Sequence, residues 1–539
     1  MRIDPIQLQH KSLLINDYKN HEQKIMDFFD YSPIHDYEKR VIDLQNRNFK
    51  RNQLTEVLQT VNQRWNAPSS TMANIDRLKK EGSVVVIGGQ QAGLMTGPFY
   101  SVNKVISIIQ FAKKQEEHLG IPVIPVFWIA GEDHDYDEIN HVFYIENETL
   151  EKHTLRQEVN EKHSISHIKI DRIHANQWLD ELFIQLKETR YTANLYDTVN
   201  KCLEQSTTYV DFFARLIFQL FEDEGLVLID SGSSELRQLE SEYFVQFIEQ
   251  QPEISQGVYD SYQQLAQLGY SVDLDVDLND GHLFIYKDKE RILLERNERG
   301  EWVGKQNEMK LTTNELLNIA RKTPELLSNN VVSRPIMQEL LFPTLAFIGG
   351  LGEISYWSVL KSAFHSLEIN MPPVLPRLSF TFIDKSTEKK LTKFQMDESD
   401  VVNYGVDQLK INWLTAQNHP PIHQIIEQLK QTIDDVHRPL RDLAVDIRAD
   451  LGQLANKNLE HLYKEIDFLR KRIDKALEEK YSYELTEFNQ INLTLFPNRG
   501  LQERVWNPLL LMNEHGSGFI KKLTDELCSF EEDHYLVYI

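Results

Sequence analysis

The stretch that decides the fold is residues 83–100, which read SVVVIGGQQAGLMTGPFY. Its β-branched run Val84–Ile87, flanked by glycines, is typical of a strand buried on both faces. A helix is predicted from Pro98 to Glu117, since proline suits the first helical position. The apolar run Ile121–Ile129 predicts a second strand. Together these segments predict a parallel strand pair joined by a right-handed crossover, which is the β-α-β unit of a doubly wound α/β fold.

Further strands of the same sheet are predicted at Leu226–Ile229, after a helical stretch over 209–224, and more weakly at Leu345–Ile348. The sheet is therefore expected to assemble from distant segments, with insertions at about 145–208 and 255–330. Within the second insertion, the alternating residues Ser271–Leu278 predict a half-exposed strand.

Helices dominate the two flanks of this sheet pattern. Residues 25–65 predict helices of an N-terminal layer, with a break at Ser32-Pro33. From Pro421 to Glu487 apolar residues recur with the heptad spacing of a coiled coil. The heptad register shifts near Leu451–Leu459, which indicates either a stutter or a turn between two helices. Pro439 is expected to kink or end a helix near Arg438.

The heptads leave two interpretations open. They form either a projecting coiled coil that pairs with a second chain, which we prefer, or a helical layer on the core. The expected division of the chain is a Rossmann-like core over 1–390, an α-helical coiled-coil domain over 391–490 and a C-terminal segment over 491–539 that returns to the core.

Composition limits the class of partner. The chain has 539 residues and a formal net charge of −24, which repels nucleic acid and anionic lipid. Two cysteines are typical of a reducing compartment. The first residues lack the apolar core of a secretory signal, and the apolar runs are too short to span a bilayer. A cytoplasmic protein is expected, without nucleic acid or membrane as partner.

The loop between the first strand and its helix combines glycines, amides and a helix amino end, which together can bind an anion. The pattern is neither a dinucleotide fingerprint nor a Walker loop. It is interpreted either as a ligand loop or as a tight structural turn. The candidate binding residues here are Gly89, Gln90, Gln91, Gly93, Thr96, Gly97, Tyr100, Asn103 and Lys104.

An ionisable run, Glu132–Asp135, follows the second strand at the carboxyl edge of the sheet, where open α/β folds bind ligands. Crowded carboxylates beside an imidazole can act as a general base, an amine-binding patch or part of a metal site. Asp133, His134 and Asp135 are the candidate catalytic residues. The alternative is a helix cap beside a solvated charge run.

Three later segments join polar and aromatic residues to glycine or proline turns. Arg334 and Arg377 are planar donors that would fix a carboxylate, and the alternative for either arginine is a surface salt bridge. The last segment, taken alone, is a surface turn. The candidate binding residues of these segments are Arg334, Gln338, Glu353, Tyr356, Trp357, Arg377, Asn498, Gln502 and Arg504.

Taken together, these blocks resemble the family of bacillithiol biosynthesis cysteine-adding enzymes, and their order and spacing span residues 84–506. The matching blocks are Gly89–Leu94 with Thr96–Pro98, Pro125–Asp135, Arg334-Pro335 with Gln338-Glu339, Gly352–Ile354 with Tyr356-Trp357, Met371–Val374 with Pro376–Phe380, and Phe496–Asn498 with Leu501–Arg504.

The resemblance implies a Rossmann-type core like that of class I aminoacyl-tRNA synthetases and related nucleotidyltransferases, with connecting-peptide insertions and a coiled-coil domain that makes a homodimer. It also implies a ligase that adds L-cysteine to the amine of glucosaminyl malate, the last step of bacillithiol synthesis. Making an amide from a free carboxylate requires activation, most simply by ATP, which the sequence itself does not show. Met95–Pro98 stands where those synthetases carry a His-x-Gly-His signature, and no metal is assigned.

Two rival interpretations remain at this point. A metal-dependent hydrolase or a nucleotidyltransferase would use the Glu132–Asp135 run. A non-catalytic scaffold would use the heptads alone.

Overall fold

A computed structural model describes residues 1–9, 12–159, 163–288, 290–306, 308–417 and 421–539. The chain divides into two compact units. The first comprises Met1–Glu146, Leu150–Phe382 and Gln502–Ile539, and the second comprises Asn147–Thr149 and Ile383–Leu501. The domain limits expected from the sequence, at residues 390 and 490, stay predictions.

The strands of the described residues are β1 (Arg2–Ile6), β2 (Val84–Gln90), β3 (Val123–Ile129), β4 (His141–Glu146), β5 (Thr149–Thr154), β6 (Val227–Asp230), β7 (Asp280–Lys287), β8 (Glu290–Arg296), β9 (Trp302–Gly304), β10 (Lys310–Leu311), β11 (Leu327–Asn329), β12 (Thr344–Gly349), β13 (Val374–Pro376), β14 (Phe380–Ile383) and β15 (His534–Tyr538).

The α-helices up to the end of β14 are α1 (Leu13–Lys19), α2 (Gln23–Met26), α3 (Tyr37–Gln45), α4 (Arg51–Arg64), α5 (Ser69–Leu78), α6 (Phe99–Leu119), α7 (Tyr136–Ile139), α8 (Arg172–Gln185), α9 (Thr192–Glu204), α10 (Tyr209–Leu220), α11 (Ser234–Glu249), α12 (Gln251–Gln267), α13 (Thr313–Lys322), α14 (Ser333–Leu341), α15 (Leu351–Trp357) and α16 (Lys361–His365).

The α-helices that follow β14 are α17 (Lys385–Phe394), α18 (Glu398–Tyr404), α19 (Asp407–Ala416), α20 (Ile422–Ile447), α21 (Ala449–Lys480), α22 (Ser482–Leu495), α23 (Leu509–His515) and α24 (Gly518–Asp525).

The centre of the first unit is a five-stranded sheet in the order β13-β12-β2-β3-β6, and every neighbouring pair in it is parallel. The four strands predicted from the sequence are confirmed as β2, β3, β6 and β12. From β2 the chain proceeds to β3 on one side and later returns to β12 on the other. The strand order therefore reverses beside β2, and in open α/β sheets ligands bind at the carboxyl ends next to such a reversal.

Strand β2 is buried on both faces. Val84 and Val86 pack into one hydrophobic cluster with α6 and α10, whereas Val85 and Ile87 pack into another with α11 and α14. Helices thus cover both sides of the sheet, which is why its strands are continuous apolar runs rather than alternating ones.

The two predicted insertions interrupt this sheet along the chain. Residues 145–208 lie between β3 and β6 and contain α8 and α9, and residues 255–330 lie between β6 and β12 and contain the antiparallel sheet β10-β9-β8-β7-β11. The strand predicted at Ser271–Leu278 was wrong, because this segment is irregular. Both edges of β7 are already paired, with β8 and β11, so no edge of that strand is left for it.

The second unit is helical, and its two longest members are α20 and α21. Lys430 Nζ lies 2.8 Å from Asp467 Oδ1, and His437 Nε2 lies 3.0 Å from Asn458 Oδ1. The helices therefore run antiparallel, joined at Arg448, whose backbone is extended. The division into two helices is confirmed, but their junction is at Arg448 and not within Leu451–Leu459, which belongs to α21. Helix α20 does not end near Arg438 and continues through Pro439 to Ile447.

Candidate functional site

A cavity of about 390 Å³ opens at the carboxyl edge of the central sheet, within the first unit. We call it the sheet-edge cavity. It is lined by Gly89, Gln90, Gln91, Tyr100, Lys104, Trp128, Ala130, Asp133, Glu138, Arg334, Pro335, Gln338, Phe347, Gly350, Leu351, Gly352, Glu353, Tyr356, Arg377 and Arg504. Residues from the ends of β2, β3 and β12 meet here beside the reversal of strand order, where the fold favours a ligand.

The structure brings together residues that the sequence predicted from separate segments. The lining includes Gly89, Gln90, Gln91, Tyr100, Lys104, Asp133, Arg334, Gln338, Glu353, Tyr356, Arg377 and Arg504. It does not include Gly93, Thr96, Gly97, Asn103, His134, Asp135, Trp357 or Gln502. Asn498 belongs to the second unit, in a 3-10 turn with a φ of 50°.

The first glycine loop, residues 88–97, is packed mainly against protein. A Cβ on Gly88 would lie 2.6 Å from the Ile348 carbonyl oxygen, and one on Gly93 would lie 2.7 Å from the Cα of Gly97. Asn507 Nδ2 donates hydrogen bonds to the carbonyls of Met95 and Gly97 at 2.6 and 2.9 Å. This geometry favours the structural-turn interpretation for residues 93–97.

The amino end of α6 is occupied as well. The amide of Phe99 donates to the carbonyl oxygen of Trp506 at 2.8 Å, so this donor is used within the chain. Since phosphate binding at a helix amino end needs free amides, residues 93–99 do not fit a nucleotide phosphate.

Lys104 contacts both the end of β2 and the start of α15. It is 1% exposed, and its ammonium donates to the carbonyl of Gly89 at 2.6 Å and forms an ion pair with Glu353. Burial lowers the pKa of Lys104 despite this carboxylate. The predicted anion-binding cation is therefore paired within the protein.

The second glycine loop, residues 349–352, opens onto the cavity. The amide of Gly350 donates to Glu353 Oε2 at 2.7 Å, which caps α15 and holds Glu353 towards Lys104. A Cβ on Gly352 would meet no atom within 4 Å. The chain here borders open space.

Arg334 is the best-placed cation for a ligand. It lies in the first turn of α14, half-buried, and its guanidinium has the Tyr356 hydroxyl at 3.4 Å. No carboxylate of the described residues lies within 4.0 Å of it. A cation that lines a cavity without an ion pair attracts an anion.

Arg377, by contrast, is paired. Its two terminal nitrogens each lie 2.6 Å from an oxygen of Glu503, and Asn103 Nδ2 donates to the same carboxylate at 2.7 Å. Burial alone would raise the pKa of Glu503, but the charge of Arg377 and these hydrogen bonds lower it to about 2. Asn103 therefore contacts Glu503 and not the cavity. Arg504, in contrast, is exposed and lines the cavity.

Two other predicted residues have structural contacts. Gln502 bridges the backbone of Phe382, accepting from its amide at 2.7 Å and donating to its carbonyl at 2.9 Å. Trp357 is buried and stacks on Phe347 with ring centroids 4.3 Å apart. Both have contacts inside the protein, and neither lines the cavity.

The ionisable run Glu132–Asp135 is divided by the structure. Glu132 is buried and paired with Arg237, so it is neither a solvated charge nor a residue of the cavity lining. Asp133 lines the sheet-edge cavity and accepts from Gln91 Nε2 at 2.8 Å. Burial alone would raise the pKa of Asp133, but this bond and the Arg291 guanidinium, 3.7 Å away, lower it overall. Asp133 is thereby held as a carboxylate.

His134 and Asp135 line a second cavity, of about 1590 Å³, formed with segments of both insertions. His134 Nδ1 lies 3.4 Å from Arg291 Nη1, which can only donate, so Nδ1 is the acceptor and the ring proton lies on Nε2. Nε2 in turn lies 3.9 Å from Asp135 Oδ1. The three candidate catalytic residues thus face two adjacent cavities.

Glu138 and Trp128 were missed by the sequence analysis. Glu138 lines both cavities, and Trp128 lines the first from the end of β3. Glu138 lies one turn beyond the recognised acidic run, and its charge together with its place at the sheet edge is a signal that could have found it. Trp128 lies within the apolar run that predicted β3, so nothing in the local sequence distinguished it from a core residue.

Within the described ranges, no group of three or more histidine, cysteine, aspartate and glutamate side chains is arranged to hold a metal ion. A search of the same residues found no helix both long and apolar enough to cross a bilayer. Cys202 is buried and Cys528 half-buried, and both are free thiols.

Comparison with known proteins covers the chain from end to end. Residues 1–378 match the model of the bacillithiol biosynthesis BshC N-terminal Rossmann-like domain, and residues 380–539 match the BshC C-terminal coiled-coil domain. A protein of Oceanobacillus iheyensis named "Putative cysteine ligase BshC" is 41% identical over 100% of both chains.

Two further relatives of the same name are similar to this chain. One from Geobacillus sp. is 39% identical over 100% of both chains, and one from Bacillus cytotoxicus is 39% identical over 97% of both. A solved structure titled as a "putative arginyl t-RNA synthetase" from Campylobacter jejuni aligns with 88% of this chain and 98% of its own at 11% identity. Its TM-score of 0.24 is too low to bear on function. The chain belongs to the bacillithiol biosynthesis BshC family, with a Rossmann-like domain followed by a coiled-coil domain.

Proposed function

We propose that this protein is a cysteine ligase that catalyses the last step of bacillithiol synthesis. The carboxyl carbon of L-cysteine and the amine nitrogen of glucosaminyl malate form an amide bond, the amine loses a proton, and one cysteine carboxyl oxygen departs with its activating group. Family membership over the full length supports the reaction class, because the curated relatives carry the name of cysteine ligase.

The observation that carries the proposal is Arg334. In a protein of net charge −24, this guanidinium lines the sheet-edge cavity without an ion pair among the described residues. Malate is dianionic, and Arg binds carboxylates with paired hydrogen bonds. The half-buried Arg334 and the exposed Arg504, both in the cavity lining, would therefore hold the malate group.

The acidic residues of the cavity lining suit the amine. Asp133 and Glu138 present carboxylates to the same cavity, and Glu138 also borders the second cavity, where His134 lies. A carboxylate near an amine can orient it as an ammonium and then accept its proton. Asp133, whose pKa is lowered, is suited to orienting the amine. His134 uses Nδ1 as the acceptor for Arg291, so its Nε2 can donate to the ligand but does not accept the proton, which goes to a carboxylate.

Activation of the cysteine carboxyl is needed, and ATP is the simplest agent. The first glycine loop does not fit its phosphates, because its residues 93–99 are packed against Asn507 and Trp506. We therefore assign no ATP site to that loop and route no step through a nucleotide.

The second unit is proposed to pair with a second copy of the chain. Several heptad residues of α20 remain exposed, among them Val436 at 76% and Ile447 at 65%. Such a row of apolar side chains on one helix is typical of a coiled-coil partner surface. The proposal includes a homodimer in the cytoplasm, and sedimentation of the purified protein tests it: a monomer at micromolar concentration would contradict the dimer.

The function is tested with purified protein, glucosaminyl malate, L-cysteine and ATP, with bacillithiol followed by mass spectrometry. Wild type is expected to form product, and Arg334→Met to lower kcat/KM about 100-fold, since an unpaired carboxylate in a desolvated site costs 2–5 kcal/mol. Arg321→Met, at an arginine exposed on α13, is the matched control. No product from wild type with or without nucleotide, or equal rates in both variants, would contradict the proposal.

A further inference from the structure

The indole of Trp128 holds a buried donor at the edge of the cavity. Trp128 is the penultimate residue of β3 and is 0% exposed. Its Nε1 has no hydrogen-bond partner among the described residues, although the residue lines the sheet-edge cavity. An indole N–H can only donate, so whatever satisfies it must present an acceptor atom.

Gly89 creates the space for this side chain. Gly89 and Trp128 are directly paired across β2 and β3. A Cβ on Gly89 would lie 2.6 Å from the Trp128 carbonyl oxygen, 3.1 Å from its Cβ and 3.4 Å from its Cδ1, the ring carbon bonded to Nε1. Any larger residue at position 89 would displace the indole from this position at the cavity.

An unpaired buried donor is costly, and native proteins keep few of them. A ligand that supplies the missing acceptor recovers this cost on binding, and one that lacks it does not. This difference is how a buried donor discriminates between similar ligands. The cavity already contains the unpaired cation Arg334, so its favoured occupant is an anion with oxygen acceptors.

We propose that the Trp128 indole N–H donates a hydrogen bond to a carboxylate oxygen of the malate group and so makes Trp128 a specificity-determining residue. The inference rests on the proposed function for the identity of the ligand. Trp128 and Arg334 would bind the same acidic group, one as a neutral donor and the other as a cation.

Trp357 supplies a matched control. It too is buried, at 1% exposure, and its Nε1 also lacks a partner among the described residues. It stacks on Phe347 and does not line the cavity. Trp128→Phe and Trp357→Phe therefore remove the same chemical group from similarly buried sites, and only the first should change ligand binding.

The experiment is calorimetric titration of glucosaminyl malate into wild type and both variants, followed by steady-state kinetics. Trp128→Phe is expected to raise Kd and KM about 10-fold with kcat little changed, because hydrogen bonds to charged groups contribute about 1.5 kcal/mol or more. Trp357→Phe should bind as wild type. Methyl glucosaminide, which lacks malate, should bind wild type and Trp128→Phe equally.

Equal Kd values for glucosaminyl malate in wild type and Trp128→Phe, or equal losses in both variants, would overturn the inference. If Trp128→Phe does not fold, benzothienylalanine at position 128 keeps the two-ring shape and replaces the N–H with sulfur, and the same rise in Kd is expected. A protein that binds glucosaminyl malate through Trp128 but forms no bacillithiol would refute the proposed function and leave this inference standing.

Discussion

The two glycine loops of the Rossmann-like domain look alike in sequence and differ in structure. Each begins at the carboxyl end of a buried strand of the central sheet, β2 or β12, and leads into a helix, α6 in one case and α15 in the other. In the first loop, residues 88–97, glycines at 88 and 93 let backbone approach backbone to within contact distance. In the second, residues 349–352, Gly352 faces open space beside the sheet-edge cavity.

The difference teaches that glycine density alone does not identify a ligand loop. A glycine is required either where another atom of the protein would occupy the Cβ position or where a ligand would. Gly88 and Gly93 of the first loop meet the former condition, through Ile348 and Gly97. Residues 89–91 of that loop and residues 350–352 of the second line the cavity. Substitutions that add or remove single groups in each loop test whether its glycines are required by protein packing or by a ligand.

The largest effect is expected from Lys104, which ties the loops together through Gly89 and Glu353. Lys104→Met leaves a half-buried carboxylate without its cation, and the free energy of unfolding should fall by about 3 kcal/mol. Urea unfolding measures this loss. The double variant Lys104→Met with Glu353→Gln should be less destabilised than the sum of the single variants, and strict additivity would contradict the pairing.

Gly88→Ala adds a methyl group where the Ile348 carbonyl oxygen lies 2.6 Å away. Overpacking of this kind costs about 1–3 kcal/mol, because strands β2 and β12 must move apart. A lower urea midpoint with an unchanged slope is the expected outcome. An unchanged midpoint would show that the loop has room and would reopen the ligand interpretation.

The pH dependence of stability tests the Glu503 pair, which lies between Asn103 on α6 and Arg377 beside Gly350. The pKa of Glu503 is lowered to about 2 from an ordinary value of 4.5. Its stabilisation is therefore complete above pH 4.5 and is lost as pH falls towards 2. Glu503→Gln should lose less stability than wild type between pH 5 and 3, and identical pH profiles would contradict the lowered pKa.

The smallest effect on stability is expected from Gly352→Ala. Its new methyl group meets no atom within 4 Å, so the free energy of unfolding should change by less than about 0.5 kcal/mol. Because Gly352 lines the cavity, KM for glucosaminyl malate should rise. A large loss of stability would show that Gly352, like Gly88, is required by packing against other protein atoms.

Much of the fold could be predicted from the sequence, because the central strands are short β-branched runs bounded by glycine and buried on both faces. Val84–Ile87 carries that signal by itself. Ser271–Leu278 shows the limit of such reasoning. Its alternation of Val272, Leu274 and Val276 does reflect partial burial, but a strand also needs a free edge to pair with, and pairing is a property of the whole sheet.

The charged residues of the candidate site could be predicted from the sequence, whereas the positions that depend on packing between distant segments could not. Asp133 stood out as a charged residue at the predicted carboxyl edge of the sheet and Arg334 as a planar donor for a carboxylate, and both line the cavity. Thr96 and Gly97 belonged to a plausible ligand loop, yet Asn507, far along the chain, binds that loop. Such a contact between distant segments cannot be read from local sequence, and the same holds for Trp128.

The central claim is that the ligand binds beside the second glycine loop. The most direct measurement is the crystal structure of the protein with glucosaminyl malate. We predict that a malate carboxylate lies within hydrogen-bond distance of Arg334 and against Gly350–Gly352. Density for the malate group over Gly93–Gly97, with Arg334 left free, would contradict this account.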